Sequence, residues 1–210
     1  MQLTVAAESD VDPAVACAAD AFADDPITGY LLSRGAGYRE RLMQFFSLLM
    51  RARVALNMPV IIARDAAEIR GLVMGYSTER PAWPGTLAAE WDEFERAIPG
   101  LTGRMAVYDE IAEFGKPATP HYYLGVIAAA PSMQGRGIGK RLMNAFSDRS
   151  ASDDLSSGVY LETANPSNVA FYEGCGFTVT HTGSMGDATL WCLFLRHDRR
   201  HRTGHSAESQ

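Results

Sequence analysis

A glycine-rich turn is the segment of this sequence best suited to hold a ligand. It runs Gln134-Gly135-Arg136-Gly137-Ile138-Gly139, between an apolar run that predicts a buried strand and an amphipathic run that predicts a helix. Glycines let the backbone approach a ligand closely, and the first N–H groups of a helix lie at the positive end of its dipole. Arg136 and Lys140 add positive charge at the rim. The turn is therefore predicted to bind a phosphate or pyrophosphate group.

The spacing inside this turn disfavours two common phosphate-binding loops. The G-x-G-x-x-G arrangement of dinucleotide-binding proteins is absent, and so is the G-x-x-x-x-G-K-[ST] arrangement that binds nucleoside triphosphates. What stands is Gln-x-x-Gly-x-Gly, formed by Gln134, Gly137 and Gly139. A nucleotide-binding enzyme that uses the same anion site stays as a disfavoured alternative.

A second block with chemical potential runs from residue 161 to 177, LETANPSNVAFYEGCGF. Glu162 lies on a predicted strand beside Leu161, where its carboxylate can serve as a base or as a hydrogen-bonded structural group. Tyr172 lies on a short predicted helix. Its phenol, with an unperturbed pKa of ~10, stays protonated at neutral pH and suits an acid, although Tyr172 can equally pack with Phe171 and Phe177.

The two blocks, in this order, resemble the GNAT superfamily of N-acetyltransferases. The acetyl-CoA loop of that family reads Gln or Arg, two residues, Gly, one residue, then Gly or Ala, and Gln134, Gly137 and Gly139 match it. The later family signature ends in Tyr-x-x-x-Gly-Phe, which is similar to the segment from Tyr172 to Phe177. The resemblance covers residues 120–180 well and the first 75 residues in element order alone.

This resemblance implies transfer of an acetyl group from acetyl-CoA to a primary amine, by direct attack, without a covalent enzyme intermediate and without a metal. Tyr172 would protonate the departing CoA thiolate, Glu162 is the candidate base, and a backbone N–H of the central strand would stabilise the oxyanion. The backbone at residues 127–129 would pair with the pantetheine arm as another strand would. The implied cofactor-binding set is Ile127, Ala128, Ala129, Gln134, Gly135, Arg136, Gly137, Ile138, Gly139, Lys140, Asn165 and Asn168.

Residues near the expected acceptor site have two interpretations each. Asp24 and Asp25, just before Pro26, can attract a cationic amine or simply end a helix and form a turn. His121 has chemistry that suits a second candidate base near pH 7, but a histidine at a strand end is more often merely half-exposed. Cys175 invites a nucleophile hypothesis, but a packed thiol is favoured because no histidine is positioned by the sequence to activate it. Three aromatic residues are predicted mainly to pack in the core: Trp83, Tyr122 and Tyr123.

The elements that position these residues follow from apolar periodicity. Strands are predicted at residues 3–7, 59–63, 69–76, 121–130, 159–163, 177–182 and 189–195. Helices are predicted at residues 11–22, 38–51, 86–97, 101–114, 137–151 and 167–173. The predicted fold class is α/β, with a mixed, mostly antiparallel central sheet flanked by helices, as in the acyl-CoA N-acyltransferase fold of the GNAT family.

One domain is predicted over residues 1–196, followed by a disordered tail at 197–210 that lacks apolar periodicity. Residues 78–120 exceed the usual length of a connection and are predicted to form a helical insertion near the substrate opening. The apolar run 189–195 would favour aggregation as an open edge, so it suggests a homodimer contact.

The charge and the cysteine content limit which partners and which cellular compartment are expected. The net charge is −6, which disfavours nucleic acid and anionic membranes as partners and favours a cationic substrate. Three cysteines without metal-ligand spacing indicate a reducing cytoplasm. The N-terminal segment has no basic start, and no run reaches the ~18 apolar residues of a spanning helix, so neither export nor membrane insertion is expected.

The acceptor is expected to be a small-molecule amine or a peptide amine, with the small molecule slightly favoured. The alternative is a regulatory module that binds acyl-CoA without catalysing transfer. The presence of Tyr172 and of a candidate base argues against that alternative.

Overall fold

A seven-stranded sheet runs through residues 1–198, the part of the chain that this computed structural model describes. Its strands are β1 (Gln2–Val5), β2 (Val60–Asp65), β3 (Glu68–Tyr76), β4 (Tyr122–Ala129), β5 (Gly158–Thr163), β6 (Thr178–Met185) and β7 (Ala188–Arg196). The α-helices are α1 (Val11–Ala21), α2 (Pro26–Leu32), α3 (Tyr38–Ala55), α4 (Gly85–Ala97), α5 (Leu101–Gly115), α6 (Ile138–Ala151) and α7 (Pro166–Glu173). Each predicted strand and helix is present, within a few residues of its predicted bounds.

The strand order is β1-β2-β3-β4-β5-β7-β6. Every neighbouring pair is antiparallel except β4 and β5, which run parallel. A parallel pair needs a crossover connection, and α6 supplies it. The fold is therefore the predicted α/β class, with a mixed, mostly antiparallel sheet flanked by helices.

A β-bulge in the central strand β4 lets both faces of that strand enter the core. The pairing of β4 with β3 skips Gly125, which is the extra residue of the bulge. Before it, Tyr122 and Leu124 pack in the cluster that contains α6, whereas Val126 and Ala128 after it pack in the cluster that contains α1 and α3. Because side chains alternate along a strand, all four would share one face without the extra residue.

The strands β4 and β5 diverge soon after they meet. Their paired positions are Tyr122 with Val159 and Tyr123 with Tyr160. Farther along, β4 stays paired with β3 and β5 stays paired with β7. The sheet therefore opens in a wedge between these two strands, and the side of β4 that faces the wedge has no strand partner among the described residues.

The insertion between β3 and β4 consists of α4 and α5. Of these two helices, α5 packs against β6, β7 and α2. Arg104 of α5 donates from Nε and Nη2 to the carbonyl of Leu31, at 2.9 Å and 2.7 Å. Arg51 of α3 makes a two-point ion pair with Glu90 of α4, at 2.6 Å and 2.9 Å. The insertion is thus fastened to the helices that precede the sheet core, rather than projecting from the domain.

Helix α2 was not expected from the sequence. A helix end and turn is one of the two interpretations of Asp24 and Asp25, but the segment starts a second helix. Asp25 Oδ1 accepts a hydrogen bond from the N–H of Thr28 at 2.9 Å, and Pro26 occupies the first helical position. An acidic N-cap followed by proline is a helix-start signal, so these two residues predict this helix.

The position of β7 in the sheet differs from the prediction of an edge strand at residues 189–195. Strand β7 lies between β5 and β6, so the apolar run 189–195 is not an open edge and β6 takes that position. An internal strand has no open edge, so the prediction of a homodimer contact at 189–195 has no support from the sheet order. The backbone N–H of His197 donates to the carbonyl of Ser157 at 2.9 Å. The remainder of the predicted tail, residues 199–210, lies outside the described residues.

None of the helices within residues 1–198 combines the length and the apolar character that crossing a membrane requires.

Candidate active site

A cleft of about 1060 Å³ opens where β4 and β5 separate. Its walls come from the α1–α2 connection, α3, α5, the turn into α6, and α7. It is lined by most of the residues predicted for a site, namely Asp24, Asp25, Ile127, Ala128, Ala129, Gln134, Gly135, Gly137, Ile138, Gly139, Lys140, Glu162, Asn165, Asn168 and Tyr172. Arg136 is exposed and is not among the lining residues.

The turn into α6 has the properties of an anion site. Gly135 and Gly137 have φ of 73° and 78°, in the left-handed region that favours glycine. A Cβ at either position would meet no atom within 4 Å, so the backbone conformation, and not lack of space, calls for glycine here. Gly137 is the N-cap of α6 and no side chain caps the helix, which leaves its first N–H groups available to a phosphate.

The exposed edge of β4 offers backbone hydrogen bonds to the cleft. The N–H of Ala130 donates to the carbonyl of Arg70 on the β3 side, at 2.9 Å. Because backbone groups alternate along an antiparallel ladder, Ala128 also points to β3, whereas Ile127 and Ala129 point into the wedge. Of the three residues predicted to pair with pantetheine, these two present free backbone groups and Ala128 belongs to the ladder.

Glu162 lies on the floor of the cleft within a set of tyrosines. Its neighbour Leu161 packs towards α6, so Glu162 faces α5 on the other side of the sheet. The hydroxyl of Tyr108 donates to Glu162 Oε2 at 2.9 Å, and the Tyr123 hydroxyl lies 3.3 Å from that of Tyr108. Burial raises the pKa of Glu162 to about 7, against the opposing effect of the tyrosine hydrogen bonds. A carboxyl that is half ionised near neutral pH is suited to accept and release a proton.

Tyr172 combines its two predicted interpretations. It is 5% exposed and packs against Phe171 and Phe177, with ring centroids 5.3 Å and 5.7 Å away. It also lines the cleft. Burial raises its pKa, and the charge of Asp25 raises it further. The phenol therefore stays protonated and can donate a proton into the cleft.

Three predicted binding residues also have local structural contacts. Asn165 accepts a hydrogen bond from the N–H of Ser167 at 3.0 Å and begins α7. Asp25 caps α2 in the same way, and burial raises its pKa. The carboxylate of Asp24 is fully exposed and lies 3.6 Å from Arg34. All three border the cleft. Capping accounts for the residue types of Asn165 and Asp25 without excluding contact with a ligand.

Two other candidates lie outside the cleft lining. His121 is 7% exposed, its Nδ1 lies 2.7 Å from the carbonyl of Thr119, and burial lowers its pKa. Its ring packs edge-on against Tyr160, at 5.7 Å between centroids. Burial raises the pKa of Cys175, which disfavours the thiolate that a nucleophile requires. Neither residue is placed to act on a ligand in the cleft.

The structure adds polar residues that the sequence did not single out for the site, and these are Asp20, Thr28, Arg53, Tyr108, Asp109, Tyr123 and Thr163. Arg53 carried a signal, since it continues the apolar stripe of α3 formed by Leu42, Phe46 and Leu49 at helical spacing. An arginine on such a stripe is a buried cation. Tyr108 lies in the insertion, where no motif marked it.

Comparisons with known proteins agree with this geometry. Residues 76–177 match the family model of the acetyltransferase (GNAT) family. Among solved structures, a Corynebacterium glutamicum protein described as histone acetyltransferase HPA2 and related acetyltransferase superposes with a TM-score of 0.70 at 22% identity, covering 93% of this chain and 95% of that chain. An N-acetyltransferase from Staphylococcus aureus gives a TM-score of 0.58 at 14% identity, over 92% and 100% of the two chains.

A ribosomal-protein-alanine N-acetyltransferase from Brucella melitensis also shares the architecture. Its TM-score is 0.57 at 15% identity, and the match covers 94% of this chain and 100% of that chain. At such identities these structural matches establish a shared fold.

Proposed function

We propose that this chain, which belongs to the acetyltransferase (GNAT) family, transfers an acetyl group from acetyl-CoA to a primary amine of a small molecule or a peptide. The family supports acetyl transfer with acetyl-CoA as co-substrate. The observation that carries the amine acceptor is the position of Glu162, a carboxyl with a pKa raised to about 7 at the floor of the cleft. Such a group takes a proton from an attacking amine near neutral pH.

The residues present fit acetyl-CoA. The uncapped start of α6 and the glycines at positive φ suit its pyrophosphate. The free backbone groups of Ile127 and Ala129 suit its pantetheine arm, which would pair with β4 as a strand does. Lys140, Asn165 and Asn168 line the same cleft. When bound, acetyl-CoA supplies the thioester from which the amine takes the acetyl group.

Glu162 and Tyr172 divide the proton transfers between them. The ionised carboxylate of Glu162 takes the proton that the amine loses, and the Tyr108 hydroxyl orients it through the 2.9 Å hydrogen bond. Tyr172, protonated because of its burial, gives a proton to the departing sulfur. Neither cysteine nor serine is among the described residues that line the cleft, which supports direct transfer without a covalent enzyme intermediate.

A purely regulatory acyl-CoA-binding role has less support, because both proton-transferring residues border the cleft. The three cysteines are unpaired, which supports the cytoplasm as the proposed location. The acidic net charge supports an amine partner rather than nucleic acid.

An acetylation screen tests the proposal. Release of the CoA thiol from acetyl-CoA is followed with polyamines, aminoglycosides, amino acids and peptides with free N-termini. We expect turnover with at least one class and loss of turnover in Glu162→Gln. Calorimetric binding of CoA without thiol release for any amine would instead favour the regulatory role.

A further inference from the structure

Arg53 of α3 is a buried cation without an acidic partner. It is 3% exposed, and it lines the cleft. Its Nη1 donates to the carbonyl of Leu49 at 2.9 Å. Its Nε is buried without a hydrogen-bond partner among residues 1–198, and no carboxylate in that part of the chain forms an ion pair with it. The guanidinium edge formed by Nε and Nη2, which can give two parallel hydrogen bonds to a carboxylate, thus lacks an acceptor.

The surroundings of Arg53 do not neutralise its charge. Its guanidinium lies over the ring of Tyr76, 4.7 Å from the centroid, and the guanidinium of Arg80 lies 5.5 Å from the same ring. Arg80 donates to backbone carbonyls, so it brings a second cation and no anion. Burying an unpaired charge is unfavourable, and native proteins usually provide a partner for it. A bound anion would supply the partner that this chain does not.

This cation lies on the side of the cleft that carries Glu162. A Cβ built on Gly125 would lie 3.2 Å from Arg53 Nη2 and 3.2 Å from Cε1 of Tyr123. The Tyr123 hydroxyl is 3.3 Å from Tyr108, which donates to Glu162. Arg53 therefore belongs to the compartment between α3 and α5. The glycine turn leads into α6 on the opposite face of the sheet, so Arg53 is not part of the phosphate site.

The wall beside Arg53 is apolar. Phe45 and Leu49 precede it at four-residue spacing, hence on the same face of α3, and both line the cleft. Trp91 of α4 adds its ring, 6.0 Å from that of Phe45. A ligand in this compartment meets the cation of Arg53, the carboxyls of Glu162 and Asp109, and an apolar surface.

Resting on the proposed acetyl transfer, we propose that the acceptor is a free amino acid with an apolar side chain, held by its carboxylate on Arg53 with its amine towards Glu162. The amine nitrogen forms a bond to the acetyl carbon as the C–S bond breaks. The proton lost by nitrogen passes to Glu162, and the departing sulfur receives a proton from Tyr172. The products are an N-acetyl amino acid and CoA.

Matched acceptors test this assignment. L-phenylalanine is compared with L-phenylalaninamide and phenethylamine, and L-leucine with L-leucinamide and 3-methylbutylamine, by CoA release at saturating acetyl-CoA. We expect kcat/KM to be about 10- to 100-fold higher for the acids, as for a hydrogen-bonded charge pair. In Arg53→Gln this ratio should fall towards one because KM for the acid rises. Arg53→Lys, which keeps the charge but not the two-donor edge, should retain part of it.

Arg80→Gln is the control, because it removes a cation near the same Tyr76 ring but outside the cleft lining, and it should leave the ratio unchanged. Thermal unfolding of each variant reports on folding. Turnover of amines with no preference for the acids, or an equal loss for acids and amines in Arg53→Gln, overturns the proposal and leaves acetyl transfer standing. Absence of turnover with every amine class counts against the proposed function instead.

Calorimetry of L-phenylalanine in the presence of CoA gives a readout that does not depend on turnover. Binding that is lost in Arg53→Gln supports the carboxylate site. Equal affinity of the wild type and Arg53→Gln contradicts it.

Discussion

The two walls of the cleft offer different kinds of groups to a ligand. The wall formed by β4 and the turn into α6 offers mainly backbone groups: free positions at Ile127 and Ala129, and the uncapped N–H groups after Gly137. The opposite wall, formed by α2, α3 and α5, offers side chains, among them Arg53 and Tyr108. Backbone groups recognise a constant ligand and depend on a few glycines. Under the proposed function, the side chains of this second wall would select the acceptor.

Removing the hydroxyl of Tyr172 should give the largest change in activity. In Tyr172→Phe the packing against Phe171 and Phe177 is retained and the proton donor is lost. We expect kcat to fall about 10³-fold, within the range for general acid catalysis, with little change in the Kd for CoA. Steady-state kinetics and calorimetry measure the two quantities. A large loss of CoA affinity with normal kcat would instead assign Tyr172 to binding.

Neutralising Glu162 should stabilise the fold at alkaline pH. The folded pKa of about 7 lies above the ordinary value near 4.5, so the folded state binds the proton more tightly and stability falls as pH rises between these values. Above pH 8, Glu162→Gln should raise the free energy of unfolding by at most about 3 kcal/mol, at 1.36 kcal/mol per pKa unit, less where the cleft admits water. The difference should vanish below pH 4.

Urea unfolding of the wild type and Glu162→Gln at pH 4, 6 and 8.5 measures this difference. A constant difference at all three pH values would mean that the carboxyl is not held above its ordinary pKa.

A side chain at Gly137 should impair ligand binding only at the wall formed by β4 and the turn into α6. Gly137→Ala meets no atom but forces alanine to a φ of 78°, at a cost of about 1–2 kcal/mol. We expect KM for acetyl-CoA to rise about tenfold while KM for the acceptor is unchanged. Gly103→Ala is the matched control, because Gly103 lies inside α5 with equal space and should gain about 0.5–1 kcal/mol of stability from helix propensity.

Shortening the hydrogen-bond network should give the smallest effect, confined to the acceptor wall. Tyr108→Phe removes the hydroxyl that donates to Glu162 and stabilises the ionised carboxylate. The pKa of Glu162 should rise by about one unit, which lowers activity several-fold at pH 7 and hardly at pH 9. The pH dependence of kcat/KM reports this shift. A uniform loss at every pH would show that Tyr108 acts by packing.

The sequence predicts the backbone wall far better than the side-chain wall, for a physical reason. The glycine turn, β4 and Tyr172 depend on local patterns, so each can be recognised within a short segment. The bulge at Gly125 depends on the alignment of β4 with β3, which no single segment encodes. Tyr108 reaches Glu162 from an insertion more than 50 positions away along the chain. Such contacts appear only when distant elements pack together.

Two local signals in the sequence predict features that apolar periodicity alone does not. The Asp25-Pro26 pair is a helix start, which predicts α2 rather than a turn alone. Arg53 continues an apolar stripe, which predicts a buried cation in α3. By contrast, nothing local indicated that β7 is an internal strand, because an apolar run fits an edge and an interior position equally well.

The pH dependence of acetyl transfer, measured side by side for the wild type and Glu162→Gln, tests the central claim most directly. With an amine found in the acetylation screen, kcat/KM for the wild type should rise with pH through an apparent pKa of about 7, the value to which burial raises Glu162. Glu162→Gln should lose this step and most of its activity. A variant that keeps full activity with an unchanged pH profile would contradict the account.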